Sequence, residues 1–127
     1  MFDLPKFDLP KYGDGLCLAR LTDLLDALGI DRARLARVGV AITGSNGKGS
    51  TAAFCAAIGR ACGLRSGLFT SPHLYRFNER FRLDGLAIDD ARLSELTAQV
   101  SDALDAVARR RDERFGGFEA QFALACL

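Results

Sequence analysis

Apolar positions Leu18, Leu21, Leu24, Leu25 and Leu28 keep helical spacing, and Gly29 stands where a helix stops, so a packing helix is predicted from Leu16 onward. Residues 38–43, VGVAIT, form a short β-prone run leading into a glycine-rich stretch. Residues 50–62 are alanine-rich and helix-prone up to Gly63. A second apolar run, Gly67-Leu68-Phe69-Thr70, follows at the distance expected for a right-handed crossover to a parallel neighbour. Strand, loop, helix and strand make a βαβ unit, the nucleus of an α/β fold.

Further on, Asp84-Gly85 between two apolar triplets predicts a small hairpin after an irregular loop. Asp89 or Asp90 can cap the next helix, where Leu93, Leu96, Val100, Leu104 and Val107 make one stripe. Arg109, Arg110 and Arg111 fall at its C-terminal end, where cations complement the helix dipole, and are read as a solvated terminus. After Gly116-Gly117, FEAQFALACL starts another helix and stops on Leu124, Cys126 and Leu127 with no cap or polar tail, leaving apolar surface uncovered. The expectation is that the chain is the front part of something longer. At the other end, FDLPK occurs twice in succession, over residues 2–11, and reads as part of an extended arm without chemistry. The expected division is an arm over residues 1–15 and the first part of a larger domain over residues 16–127.

Composition narrows the classes. The 127 residues are 49% hydrophobic and 26% charged, as in an ordinary globular domain. With 17 basic against 16 acidic residues, no global field favours nucleic acid or an anionic membrane, so any anion site is local. No apolar run reaches the roughly 20 residues of a membrane helix, and the N-terminus has no signal-peptide pattern. A cytoplasmic protein with neither nucleic-acid nor membrane partners is expected. The four cysteines and one histidine show no zinc spacing, and buried reduced thiols are expected.

The chemistry lies in Gly44-Ser45-Asn46-Gly47-Lys48-Gly49-Ser50-Thr51. A glycine-rich turn between strand and helix directs backbone N–H groups at an anion and sets it against the positive helix end, and Lys48 adds a point charge for β and γ phosphates. In the common phosphate-loop pattern a hydroxyl follows the lysine and ligates Mg²⁺; here Gly49 does, and Ile42 occupies the first glycine position. The downstream D-x-x-G and N-K-x-D of GTP switches are absent, as is a later strand ending in the acidic Mg²⁺ ligand of P-loop kinases.

GSNGKGSTAAF, followed by LFTSPHLYRFNERFRLDG, resembles the folylpolyglutamate synthase and dihydrofolate synthase family, the folate branch of the Mur-ligase-like ATP-dependent amide ligases. The similarity runs from about Tyr12 to Leu127, the first quarter to a third of a family member, with Ser45 where relatives usually have threonine. The resemblance implies a P-loop-containing, Mur-ligase-like central domain, an incomplete parallel sheet with flanking helices, in a mostly monomeric enzyme. It implies that ATP and Mg²⁺ activate the carboxylate of dihydropteroate or folate as an acyl phosphate, which the amine of L-glutamate attacks. Lys48 is the implied catalytic residue. Gly44, Ser45, Asn46, Gly47, Lys48, Gly49, Ser50 and Thr51 are the implied nucleotide-binding set, with Ser71 the metal ligand and Ser50 the alternative. Ser71, Pro72, His73, Asn78 and Arg80 fall in the implied substrate loop. By residue chemistry alone Ser71 is a turn residue, His73 a hydrogen-bonded loop residue, and Asn78, Glu79 and Arg80 a polar lock on the loop. Relatives carry an acidic ligand, a histidine and a modified lysine that map to nothing here; Glu119 corresponds to a helix residue. The alternatives are an inactive nucleotide-binding fragment of such a ligase and a Mur-type cell-wall ligase, against which Gly49 and the T-S-P-H-L segment argue.

Overall fold

The computed structural model describes residues 7 and 9–127. Most of the duplicated stretch therefore lies outside the described residues. In chain order the elements are α1 Leu18–Ala27, α2 Arg32–Val38, α3 Lys48–Ala61, β1 Gly67–Phe69, a 3₁₀ turn Phe77–Arg80, β2 Phe81–Leu83, β3 Leu86–Ala87, α4 Asp90–Arg111 and α5 Gly117–Cys126. They divide into two compact units: one joins Met1–Gly39 to Ser94–Leu127, the other is Val40–Leu93.

In the first unit, α1 ends as its glycine predicts: Leu28 closes the helix and Gly29 takes φ 71°. Leu24 and Leu25 are buried, whereas Leu16 and Leu18, at the helix entrance, are exposed. The α4 stripe is observed as read, with Leu93, Leu96, Val100, Leu104 and Val107 all buried. In α5, Ala120, Ala123 and Leu124 are also buried, and the apolar residues left exposed at this end are Phe118, Ala125 and Leu127. Residues 9–15 are tied to the start of α5 rather than extended free: Gly117 N–H donates to the Pro10 carbonyl at 2.9 Å and Asp14 N–H to that of Arg114 at 3.0 Å. Gly13 permits this approach, because at φ 55° a Cβ there would collide with the Arg114 carbonyl.

Arg111 at the end of α4 donates to Asp23 at 2.9 Å and to Glu113 at 3.0 Å, and Arg110 pairs with Asp23 at 3.2 Å. Two of the three arginines are thus ion-paired to α1 and its surroundings rather than merely solvated. The thiols are free, as expected, but Cys55 and Cys62 are exposed and Cys17 and Cys126 half-buried. Burial pushes the Cys126 thiol above its usual range.

In the second unit the hairpin forms at the expected turn. Leu83 pairs with Leu86, and Asp84 and Gly85 both have positive φ, 50° and 90°, as a two-residue turn matched to strand twist requires. The sheet corrects the sequence reading. Its order is β1-β2-β3 with both pairings antiparallel, so the βαβ crossover and incomplete parallel sheet are not what the described residues form. Residues 39–43 carry no strand, and Val38 closes α2. A parallel strand needs a paired neighbour and cover on both faces. Val40 is instead 80% exposed, and Gly67–Phe69 spends its ladder on Leu83–Phe81.

Candidate functional site

The second unit carries both segments singled out by the sequence. Gly47 takes φ 74° and turns the chain into α3, whose first helical residue is Lys48. A left-handed backbone is what a glycine supplies here without steric cost. The first turn of α3 contains no acidic residue and no side chain caps it, so the positive end of a 14-residue helix is left uncompensated by the protein. Gly44, Ser45, Asn46, Gly47, Lys48, Gly49, Ser50 and Thr51 are all exposed. The Lys48 ammonium folds back to donate to the Gly44 carbonyl at 2.6 Å and the Ser45 carbonyl at 3.4 Å. The Thr51 hydroxyl donates to the Gly47 carbonyl at 2.9 Å, closing the turn. The arrangement is an exposed glycine loop at a helix N-terminus with one mobile-length cation hung over it, suited to phosphate oxygens.

The second segment follows β1. The Ser71–Pro72 peptide is cis, and Ser71 and Pro72 are exposed. Among the described residues no hydrogen bond joins Ser71 to the glycine loop. Beyond the proline, one carboxylate organises the backbone: Glu79 accepts the N–H groups of Leu74, Tyr75 and Arg76 at 2.9, 3.0 and 2.7 Å. The Leu74 and Arg76 amides, with that of Tyr75, hold the Glu79 carboxyl below its usual range against the opposing effect of burial. His73 Nδ1 accepts from Arg80 Nε at 2.9 Å. Burial draws the Arg80 guanidinium below its ordinary value. Asn78, 4% exposed, donates its amide to the Ile88 carbonyl and to Asp90, both at 2.9 Å, and Arg76 pairs with Asp90 at 2.7 Å. The polar lock read from Asn78, Glu79 and Arg80 therefore has definite partners, two of which, Ile88 and Asp90, the sequence did not signal. Phe77 and Phe81 are buried packing residues: Phe81 stacks on Phe69 at 5.4 Å and meets Phe77 edge-on at 5.5 Å. Beside them Arg76, Asn78, Ile88 and Asp90 border an open groove of about 490 Å³.

The donor chemistry admits magnesium only in one form. Among the described residues no group of three or more His, Cys, Asp or Glu side chains could hold a metal, whereas Ser50 and Ser71 present exposed neutral hydroxyl oxygens. Such a set fits an ion carried chiefly by phosphate oxygens and water, with one or two protein oxygens, rather than an all-protein cage.

The fold is shared with known proteins. A structure of folylpolyglutamate synthase (FPGS) in complex with AMPPCP and folate superimposes with a TM-score of 0.72 at 37% identity, covering 98% of this chain and 29% of that one. Folylpolyglutamate synthase of Lacticaseibacillus casei is 39% identical over 117 residues, 92% of this chain and 26% of that protein. Dihydrofolate synthase/folylpolyglutamate synthase of Bacillus subtilis is 33% identical over 117 residues, 92% and 27% respectively. No protein-family model matches the chain. By sequence and fold the chain is a relative of the folylpolyglutamate synthase and dihydrofolate synthase family. It spans about a quarter of the length of these relatives.

Proposed function

We propose that this chain is the nucleotide-holding segment of an ATP-dependent, Mur-ligase-like amide ligase that adds L-glutamate to dihydropteroate, to (tetrahydro)folate or to both. The observation that carries the reading is the uncompensated N-terminus of α3 behind an exposed glycine loop with Lys48, in a chain that resembles FPGS bound to AMPPCP and folate over nearly its whole length. In this reading the backbone amides of Gly44 to Thr51 hold the ATP phosphates, and Lys48 stabilises charge on the transferred γ-phosphoryl. The substrate carboxylate takes that phosphoryl to become an acyl phosphate, and the glutamate amine displaces phosphate to form the amide. Mg²⁺ arriving with the nucleotide would offset phosphate charge, with Ser71 holding it and Ser50 the second choice. Pro72, His73, Asn78 and Arg80 belong to the loop that meets the substrate. Among the described residues no helix is long and apolar enough to cross a membrane; a cytoplasmic, monomeric enzyme is part of the proposal and rests on sequence alone.

The test is glutamate-dependent ADP formation, with dihydropteroate and with folate, by the ligase that carries this segment. Turnover with either acid supports the reading. Nucleotide binding without amide formation favours a nucleotide-binding fragment, and turnover with UDP-linked muramyl substrates favours a cell-wall ligase.

A further inference from the structure

His73 is held from three directions. Arg80 Nε donates to its Nδ1 at 2.9 Å. The ring meets the buried Phe77 edge-on, with centroids 5.8 Å apart and planes at 83°, while the Arg80 guanidinium lies 5.3 Å from the centre of the same Phe77 ring. The backbone that follows is pinned by Glu79 through three consecutive N–H groups. A guanidinium has donors only and stays charged, so the Nδ1 it contacts must present a lone pair. In the neutral ring the proton then sits on Nε2.

We propose that Arg80 is a positioning residue that fixes this tautomer, so that His73 serves as a hydrogen-bond donor through Nε2–H to an anionic oxygen of the bound reactants and not as a proton acceptor. The inference rests on the ligase reading for the location of the loop and adds to it a role for two residues. An N–H held in place by packing and a cation needs no reorganisation when negative charge grows on a phosphoryl or carboxylate oxygen, which is the property of an effective charge-stabilising donor. Nε2, carrying the proton, cannot deprotonate the incoming amine, so that step falls to another group. Glu79 contributes by holding the chain beside the ring, and Phe77 by blocking rotation.

The tautomer is tested on the 127-residue chain by ¹⁵N–¹H correlation of the imidazole nitrogens, a readout independent of turnover. The expected spectrum shows a protonated Nε2 and an unprotonated Nδ1. Arg80→Lys retains a donor of the same charge and is expected to keep the pattern in part; Arg80→Leu is expected to give mixed tautomers. An Nδ1–H ring in the unsubstituted chain overturns the proposal.

In the ligase carrying the segment, His73→Ala is expected to lower kcat by about 100-fold, the order found for loss of one charge-stabilising donor. His73→Gln, whose amide nitrogen reaches the position of Nε2, is expected to recover at least a tenfold share, on the order of one charge-assisted hydrogen bond. A KM rise for ATP alone would assign the oxygen to phosphate, and one for the pterin acid alone to carboxylate. Unchanged kcat and KM in His73→Ala, in a ligase that forms ADP with glutamate, would overturn the donor role while leaving the ligase reading intact. If the unsubstituted ligase forms no ADP with glutamate, the ligase reading fails and the donor role falls with it, whatever the tautomer spectrum shows.

Discussion

Arg20 and Glu119 stand 99 residues apart in sequence and meet through two charge-assisted hydrogen bonds, Nε to Oε1 at 3.1 Å and Nη2 to Oε2 at 2.8 Å. Arg20 is 1% exposed, also donates to the Gly15 carbonyl at 2.6 Å and lies 5.4 Å from the centre of the Phe115 ring. The same Glu119 accepts the Gly116 N–H at 2.7 Å, capping α5. A carboxylate committed to a buried guanidinium and a helix end is not available as a metal ligand. Breaking the pair leaves the buried cation with only the longer, 3.4 Å ion pair to Glu113, which costs on the order of 3 kcal/mol. Glu119→Ala should therefore lower the urea midpoint markedly, while Arg20→Met with Glu119→Leu should recover part of the loss. A Glu119→Ala protein as stable as the parent would refute the assignment.

Lys48 is exposed, and among the described residues its ammonium donates only to carbonyls of its own loop. Lys48→Ala should leave the thermal midpoint unchanged and weaken ATP-analogue binding about 10- to 100-fold, the equivalent of one charge-assisted contact. Turnover in the ligase should fall at least as far. Calorimetric titration showing equal affinity would remove the phosphate-loop assignment.

Glu79 gives the loop a pH dependence whose sign is fixed. Backbone N–H donors lower its folded pKa, so its contribution is fully present above the unfolded value, about 4.3, and is lost as pH falls through the lower folded value. Amide exchange at Leu74, Tyr75 and Arg76 should accelerate in that acid window. Glu79→Gln should show fast exchange at neutral pH and abolish the pH step. Protection independent of pH in the parent would contradict this.

Two glycines with left-handed backbone separate strain from crowding. Gly47 has φ 74° and no heavy atom within 4 Å of an added Cβ, so Gly47→Ala should cost only about 1–2 kcal/mol of backbone strain. Gly13 has φ 55° and also faces the backbone of Arg114, Phe115 and Gly116, so Gly13→Ala should be the more destabilising of the two. Equal unfolding midpoints for the two variants would count against the tight approach of the Gly13 segment.

Local patterns were legible where one element determines its own shape. The α4 stripe, the stops at Gly29 and Gly63, and the Asp84-Gly85 turn all follow from periodicity or backbone preference within a few residues. Helix α2 leaves little trace in the sequence, because RARLARV is too short for a full apolar stripe and buries no residue, and Asp31, which accepts the Arg34 N–H at 2.9 Å, marks its start. The strand expected at residues 38–43 failed for a non-local reason: β preference alone does not supply a ladder partner. Ion pairs such as Arg20 with Glu119 and Arg111 with Asp23 were invisible, since partners 99 and 88 residues apart leave no periodic trace. In the candidate site the glycine loop was legible from residue types. The triple N–H grip of Glu79 was not, because it depends on how residues 74–76 turn.

The first unit is assembled from two stretches with Val40–Leu93 between them. A ribosome adding about 5–20 residues per second takes several seconds to produce that insertion. During this interval Arg20 has been made and Glu119 has not, so a basic residue destined for the interior waits in water beside an unpaired α1. Premature termination or a slow codon run between the two stretches would thus leave the first 39 residues as a substrate for chaperones and proteases, and native pairing must close a long loop, a feature associated with slow folding.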